Sequence, residues 1–175
     1  MMRWVIVDEL YLDYLRKYDS RIPFSNYGPD KIKPFFGTLF ETNNNIAYIS
    51  QVSHPQPKHT AKKNDFTFKK LLDPKDNRLI AVINLAFMVP IKKEYLTYLS
   101  YGQIHNYRNF SNNLEKSKYI DLLSKEIRII NSIDIGKDAK KLYQICLNYP
   151  ASSVSKRCID FKLVEKYAIF YSKEY

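Results

Sequence analysis

Glycine is scarce in this chain, with four among 175 residues. None sits in a dinucleotide fingerprint, a Walker-type phosphate loop or the strained elbow that presents a serine or cysteine nucleophile. Cysteine is scarcer still: Cys146 and Cys158 are too few for a disulfide-dense scaffold or a four-cysteine zinc site. The three histidines, His54, His59 and His105, lack HExxH spacing and have no carboxylate cluster or cysteine close by, so no metal site is expected. No apolar run approaches the ~18 residues of a membrane span. Asp8 and Glu9 break the N-terminal apolar stretch before a signal-peptide core could form. A soluble, cytoplasmic protein with no metal and no cofactor is expected.

Positive charge is abundant. Lys and Arg number 28 against 18 Asp and Glu, a formal net charge of +10. Half of it is concentrated between residues 31 and 70, where Lys31, Lys33, Lys58, Lys62, Lys63, Lys69 and Lys70 face only Glu41 and Asp65. Aromatics are also plentiful, with 15 Tyr and 10 Phe. Lysines attract a phosphate backbone and aromatic rings stack on unpaired bases, so the pattern points to nucleic acid, although a solvated lysine face has the same composition.

With 45% apolar residues the chain has the material for a core, and its length suits one domain over 1–175. Arg3–Val7 reads as a strand and residues 9–18 as an amphipathic helix capped by Asp8. Residues 20–34, with three prolines and a glycine, read as a loop. The apolar runs Phe35–Phe40 and Ile46–Val52 flank an Asn-rich connector and predict a hairpin. Residues 53–65 are too rich in proline and lysine for regular structure. Phe66–Leu72, Arg78–Ile83 and Ala86–Ile91 read as strands, the last ending at Pro90. From the cap at Asn112, an apolar stripe through Leu114, Ile120, Leu123, Ile127 and Ile130 predicts a long helix. Further helices are expected near 138–148 and 160–171. The expected class is α+β, an antiparallel sheet first and helices packed across it.

One reaction class needs only the groups that remain. The 2′-hydroxyl of RNA can attack the adjacent phosphate, leaving a 2′,3′-cyclic phosphate and a 5′-hydroxyl. The protein then orients the backbone, moves a proton and stabilises charge, which lysines, hydroxyls and a histidine can do. Clustered lysines depress one another's pKa, making one of them a conceivable acid or base. A noncatalytic RNA-binding regulator would carry the same charge and aromatics. A DNA-binding reading needs a recognition helix rich in Arg, Asn or Gln, and the C-terminal helices offer Lys, Ile, Leu and Tyr instead.

Five runs in order, YLDYLRKYD (11–19), Ile22-Pro23, KPFFG (33–37), SHPQPKH (53–59) and INLAFMVPI (83–91), resemble the ToxN/AbiQ family of type III toxin–antitoxin endoribonuclease toxins. The resemblance covers about residues 3–95; beyond that the chain matches only in being helical. It implies a strongly twisted antiparallel sheet partly wrapped by helices, related to the Kid/MazF toxins. It also implies metal-independent RNA cleavage, with a repeated, pseudoknotted antitoxin RNA as both processed product and inhibitor, and a role in phage resistance. Carried over by position, the family's loop tyrosine is Tyr27, its lysine is Lys33 and its first hydroxyl is Ser53. His54 stands at the second hydroxyl position and Gln56 at a family lysine, which leaves Lys58 or His54 to take over that lysine's role. Phosphate contacts are expected from Ser53 and Lys33, charge stabilisation from Lys58, and proton transfer from His54 or Tyr27. The RNA-binding candidates are Tyr11, Gln56, His59, Lys31, Lys62, Lys63, Lys69 and Lys70, with Tyr11 at the edge of the core. His105 is expected to be structural.

Overall fold

In the computed structural model, which describes residues 1–173, seven strands form: β1 (Arg3–Ile6), β2 (Phe35–Gly37), β3 (Ile46–Gln51), β4 (Phe68–Leu72), β5 (Leu79–Asn84), β6 (Val89–Lys92) and β7 (Thr97–Tyr98). Five of them make an antiparallel sheet in the order β6-β3-β2-β1-β7. The Asn-rich connector closes the expected hairpin, with Phe35 opposite Gln51 and Phe36 opposite Ser50. Asn45 takes a φ of 60°, a left-handed conformation asparagine tolerates, and the Thr42 amide donates to the Ile46 carbonyl at 2.9 Å. Gly37 is needed for a close approach: a Cβ there would lie 2.7 Å from Ile49 Cγ2. Strands β4 and β5 form a separate ribbon. It joins the larger sheet at Ser53, whose amide donates to the Val82 carbonyl at 2.8 Å and whose carbonyl accepts from the Val82 amide at 3.0 Å.

Helix α1 (Glu9–Arg16) begins where expected, with the Asp8 side chain accepting from the Leu10 amide at 3.0 Å. Its buried face is Tyr11, Leu12 and Leu15. Segment 53–65 departs from expectation and contains a short helix, α2 (Pro57–Ala61). Proline suits a first turn because its missing N–H would find no partner there anyway. The helices α3 (Asn113–Asn131), α4 (Ile135–Asn148), α5 (Ser153–Arg157) and α6 (Phe161–Phe170) follow. Of the expected stripe on α3, Leu123 and Ile130 are buried, whereas Leu114 in the first turn is exposed. The strand expected at Ala86–Ile91 is also corrected. Leu85–Phe87 is a 3₁₀ turn capped by Asn84, and β6 starts at Val89 and runs through Pro90. Edge strands such as β6 tolerate proline because no further ladder is built on them.

Helix α6 packs on β6 and β3, and α3 packs on β4, so helices cover both the sheet and the ribbon. Among the described residues, no helix is long and apolar enough to cross a membrane. One polar junction lies inside this packing. The Tyr48 and Tyr143 hydroxyls both donate to Glu165 Oε2, at 2.7 and 2.8 Å. Burial, followed by the Glu165 carboxylate, pushes the Tyr48 phenol well above its usual value, and Tyr143 is raised in the same way. Both therefore stay protonated donors. Glu165→Leu strands the two hydroxyls and is expected to cost about 2 kcal/mol in urea unfolding. A loss indistinguishable from zero would contradict this junction's role.

Candidate functional site

Lys33 Nζ donates to Ser53 Oγ at 2.9 Å, joining the start of β2 to the end of β3. Both backbones are fixed. Ser53 is held by its two bonds to Val82 in β5. The Lys33 amide donates to the Ser25 carbonyl at 2.8 Å, while the Lys33 carbonyl accepts from Ser25 Oγ at 3.0 Å and Gln51 Nε2 at 2.8 Å. Gln51 Nε2 also reaches the Phe24 carbonyl at 2.9 Å. The long loop 20–34 is thus ordered, and α1 anchors it. Glu9 Oε2 accepts from the Ser25 and Asn26 amides at 3.0 and 2.9 Å, and Arg16 donates to the Pro23 carbonyl at 2.9 Å.

Two clefts, of about 350 and 480 Å³, meet at this pair, and Lys33 and Ser53 line both. Arg21, Asn84 and Phe87 line the smaller one. Arg21 is held there by Asp19, with Nε to Oδ1 at 2.9 Å and Nη2 to Oδ2 at 2.7 Å. The larger cleft takes in Tyr27, Lys31, His54 and, from α3, Glu126. Burial and then the charge of Lys31 hold the Lys33 ammonium below the usual lysine value. Because Ser53 Oγ accepts from that ammonium, its own proton is free to donate outward. Tyr27 is 49% exposed, with Lys31 Nζ 5.4 Å from its ring centre. Burial, then Glu9, raises its phenol against the opposing Arg16. Tyr27 is accordingly a hydrogen-bond donor and stacking face rather than a base.

The structure therefore brings together Tyr27, Lys31, Lys33, Ser53 and His54 from the sequence candidates. It separates others. Tyr11 is not an RNA contact: it is 1% exposed, and its hydroxyl donates to the Pro90 carbonyl. Lys69 pairs with Asp138 of α4 at 2.5 Å, and Lys70 Nζ donates to the Thr60 carbonyl at 2.8 Å, so each already has a partner within the chain. His59 Nδ1 accepts from the Gln56 amide at 3.0 Å and so secures the start of α2. Burial and the charges of Lys58 and Lys62 lower its pKa. Gln56 and Lys58 are exposed on the same helix and line neither cleft. Lys62 lies over the Phe68 ring at 4.0 Å, and Lys63 is exposed beside it. His105 is exposed on the 3₁₀ turn Tyr101–Asn106.

Arg21, Asn84 and Glu126 are among the lining residues that escaped the sequence reading. Glu126 had a legible signal, since it lies three residues after Leu123 and four before Ile130 on the buried face of α3. An acid on an apolar stripe is worth asking about.

Comparison with known proteins places this arrangement. The family model for the ToxN toxin of type III toxin–antitoxin systems matches residues 3–168. The chain belongs to the ToxN toxin family. The match runs through the C-terminal helices, well beyond the residue 95 at which the sequence resemblance faded. Among relatives of this ToxN-family chain is "Endoribonuclease ToxN" of Pectobacterium atrosepticum, 25% identical over 175 residues, covering 97% of this chain and 94% of the relative. Two solved structures share the fold. One is AbiQ, a lactococcal anti-phage endoribonuclease of a type III system, with a TM-score of 0.79, 21% identity and 99% of each chain covered. The other is a type III toxin selectively inhibited by a non-coding RNA pseudoknot, with a TM-score of 0.76, 18% identity and 95% of each chain covered. The ToxN-family assignment accords with the antiparallel sheet and helical wrap described above.

Proposed function

We propose that this ToxN-family chain is an endoribonuclease toxin that cuts RNA by attack of its own 2′-hydroxyl, without a metal. The reading further places it in the cytoplasm, as the protein half of a phage-resistance system. Its inhibitor is a cognate, repeated and pseudoknotted RNA that the protein itself processes. The observation that carries this reading is the Lys33–Ser53 pair, a cation and a free hydroxyl proton held rigidly where two clefts meet. The relatives' names, endoribonuclease ToxN and anti-phage endoribonuclease, support it.

The chemistry divides among few groups. A phosphate seated on the pair would receive the Ser53 proton on one non-bridging oxygen and the Lys33 N–H donors on another. Both contacts strengthen as charge accumulates in the phosphorane. His54, exposed at the cleft edge, is the group to accept the 2′-hydroxyl proton, and as the P–O5′ bond breaks the departing 5′-oxygen takes a proton from Tyr27 or from water. Lys31, Lys62 and Lys63 extend the positive surface for the RNA backbone. Affinity for the antitoxin RNA should consequently fall steeply with salt.

Controlled expression in bacteria tests the proposal. Induction is expected to arrest growth, Lys33→Ala to abolish the arrest, and a cognate repeat RNA expressed in trans to relieve it. Harmless expression together with RNA binding but no cutting would overturn the toxin reading in favour of a noncatalytic regulator.

A further inference from the structure

The larger cleft contains more than the proposed chemistry uses. Besides Lys33 and Ser53 it is lined by Ile32, Pro34 and Val52 and, from α3, by Leu122 and Leu123. At its wall lies Glu126, only 5% exposed, with no side-chain hydrogen bond or ion pair among the described residues. The neighbouring Tyr119 does not serve it, because that hydroxyl donates to the Ile32 carbonyl at 3.3 Å. Buried carboxyls are ordinarily paired, so an unpartnered one lining a cleft of about 480 Å³ is a group waiting for a donor. An accepting carboxyl oxygen beside the apolar side chains of Ile32, Pro34, Val52 and Leu123 suits a planar heterocycle carrying an N–H donor.

We propose that this cleft is a nucleobase pocket, in which Glu126 accepts a hydrogen bond from the exocyclic amino group of a base flanking the phosphate on Lys33 and Ser53. The inference rests on the reading of that pair as the phosphate site. It makes Glu126 a specificity-determining residue. Adenine, cytosine and guanine carry an exocyclic amino group for the carboxyl oxygen to accept from, whereas uracil has none to offer. Glu126 can lie near an anionic backbone because burial pushes its pKa up to about 7, so a bound phosphate favours the neutral acid. Either protonation state retains an accepting oxygen.

Binding of RNA-like oligonucleotides that cannot be cut tests the pocket separately from the reaction. The full chain would be titrated with 2′-fluoro octamers of adenosine and of purine riboside, which differ only in the amino group. Fluorescence anisotropy reports the affinities. The wild type is expected to bind the adenosine octamer about tenfold more tightly, the worth of one hydrogen bond at a buried site. Glu126→Leu should bind both octamers alike, and Glu126→Gln, whose amide oxygen still accepts, should keep the wild-type ranking. Equal binding by the wild type, which needs no variant to interpret, overturns the proposal, as does a ranking that survives in Glu126→Leu. An adenosine preference without any cleavage by the wild type would leave the pocket standing and remove the nuclease reading.

Discussion

Lys33→Ala and Ser53→Ala are each expected to lower the rate of RNA cleavage by about two to three orders of magnitude, the usual cost of removing one donor from a developing oxyanion. The loss should fall on kcat rather than on substrate binding, because in the proposed reaction both groups act most strongly on the phosphorane. Their mutual bond makes the effects non-additive. Lys33 Nζ fixes the Ser53 hydroxyl by donating to it at 2.9 Å, so without Lys33 the serine proton is no longer aimed. The double variant should therefore lose little more than the worse single one. Folding is expected to survive, since the backbone bonds of both residues to Ser25, Gln51 and Val82 do not involve the substituted side chains. Single-turnover cleavage and thermal melting of the four proteins check this. Losses that simply multiply would mean that the two residues act independently.

The second large effect concerns stability and pH. Burial raises the Glu126 carboxyl from its ordinary 4.5 to about 7. In the folded chain it holds its proton over a range in which the unfolded chain releases it. Its contribution is thus fully present below pH 4.5 and is lost as pH rises through about 7. The size is about 3 kcal/mol, at ~1.4 kcal/mol for each tenfold change in proton affinity. Tyr101 and Tyr119, which interact with Glu126 electrostatically, do not titrate in this window, because burial holds both phenols above 10. Glu126→Gln has no proton to lose. Its stability relative to the wild type should rise by about 3 kcal/mol between pH 4 and pH 8. Urea unfolding of both proteins at the two pH values gives that difference, with the titration of every other carboxylate cancelling. A difference that stays constant with pH would mean that Glu126 is already ionised in the folded protein.

Much of the scaffold was readable from local pattern. The Asn-rich connector between two apolar runs could hardly be anything but a hairpin, and Asn45 adopts the left-handed turn that such a sequence allows. The caps at Asp8 and Asn112 set two helix starts because a side-chain acceptor is needed there whatever the rest of the chain does. The site was legible in part: Lys33 and Ser53, chosen by resemblance, prove to be in contact. The failures have a common origin in pairing across the chain. Nothing local announces that the Tyr11 hydroxyl meets the Pro90 carbonyl, or that Lys69 meets Asp138. Those partners lie far apart in sequence, and they take two expected RNA contacts out of play. Lys58 illustrates the converse. It was chosen to replace a family lysine that reads Gln56 here, yet Gln56 caps α2 and Lys58 lies in its first turn, and neither is in the two cleft linings. The two candidates for proton transfer, His54 and Tyr27, both line the larger cleft.

The most direct test is to incubate the purified protein with RNA in excess chelator and to determine the chemistry of the new ends. The account predicts cleavage undiminished by the chelator, with 2′,3′-cyclic phosphate and 5′-hydroxyl termini that disappear in Lys33→Ala. Cleavage that stops on chelation, or that leaves 5′-phosphate ends, would contradict it.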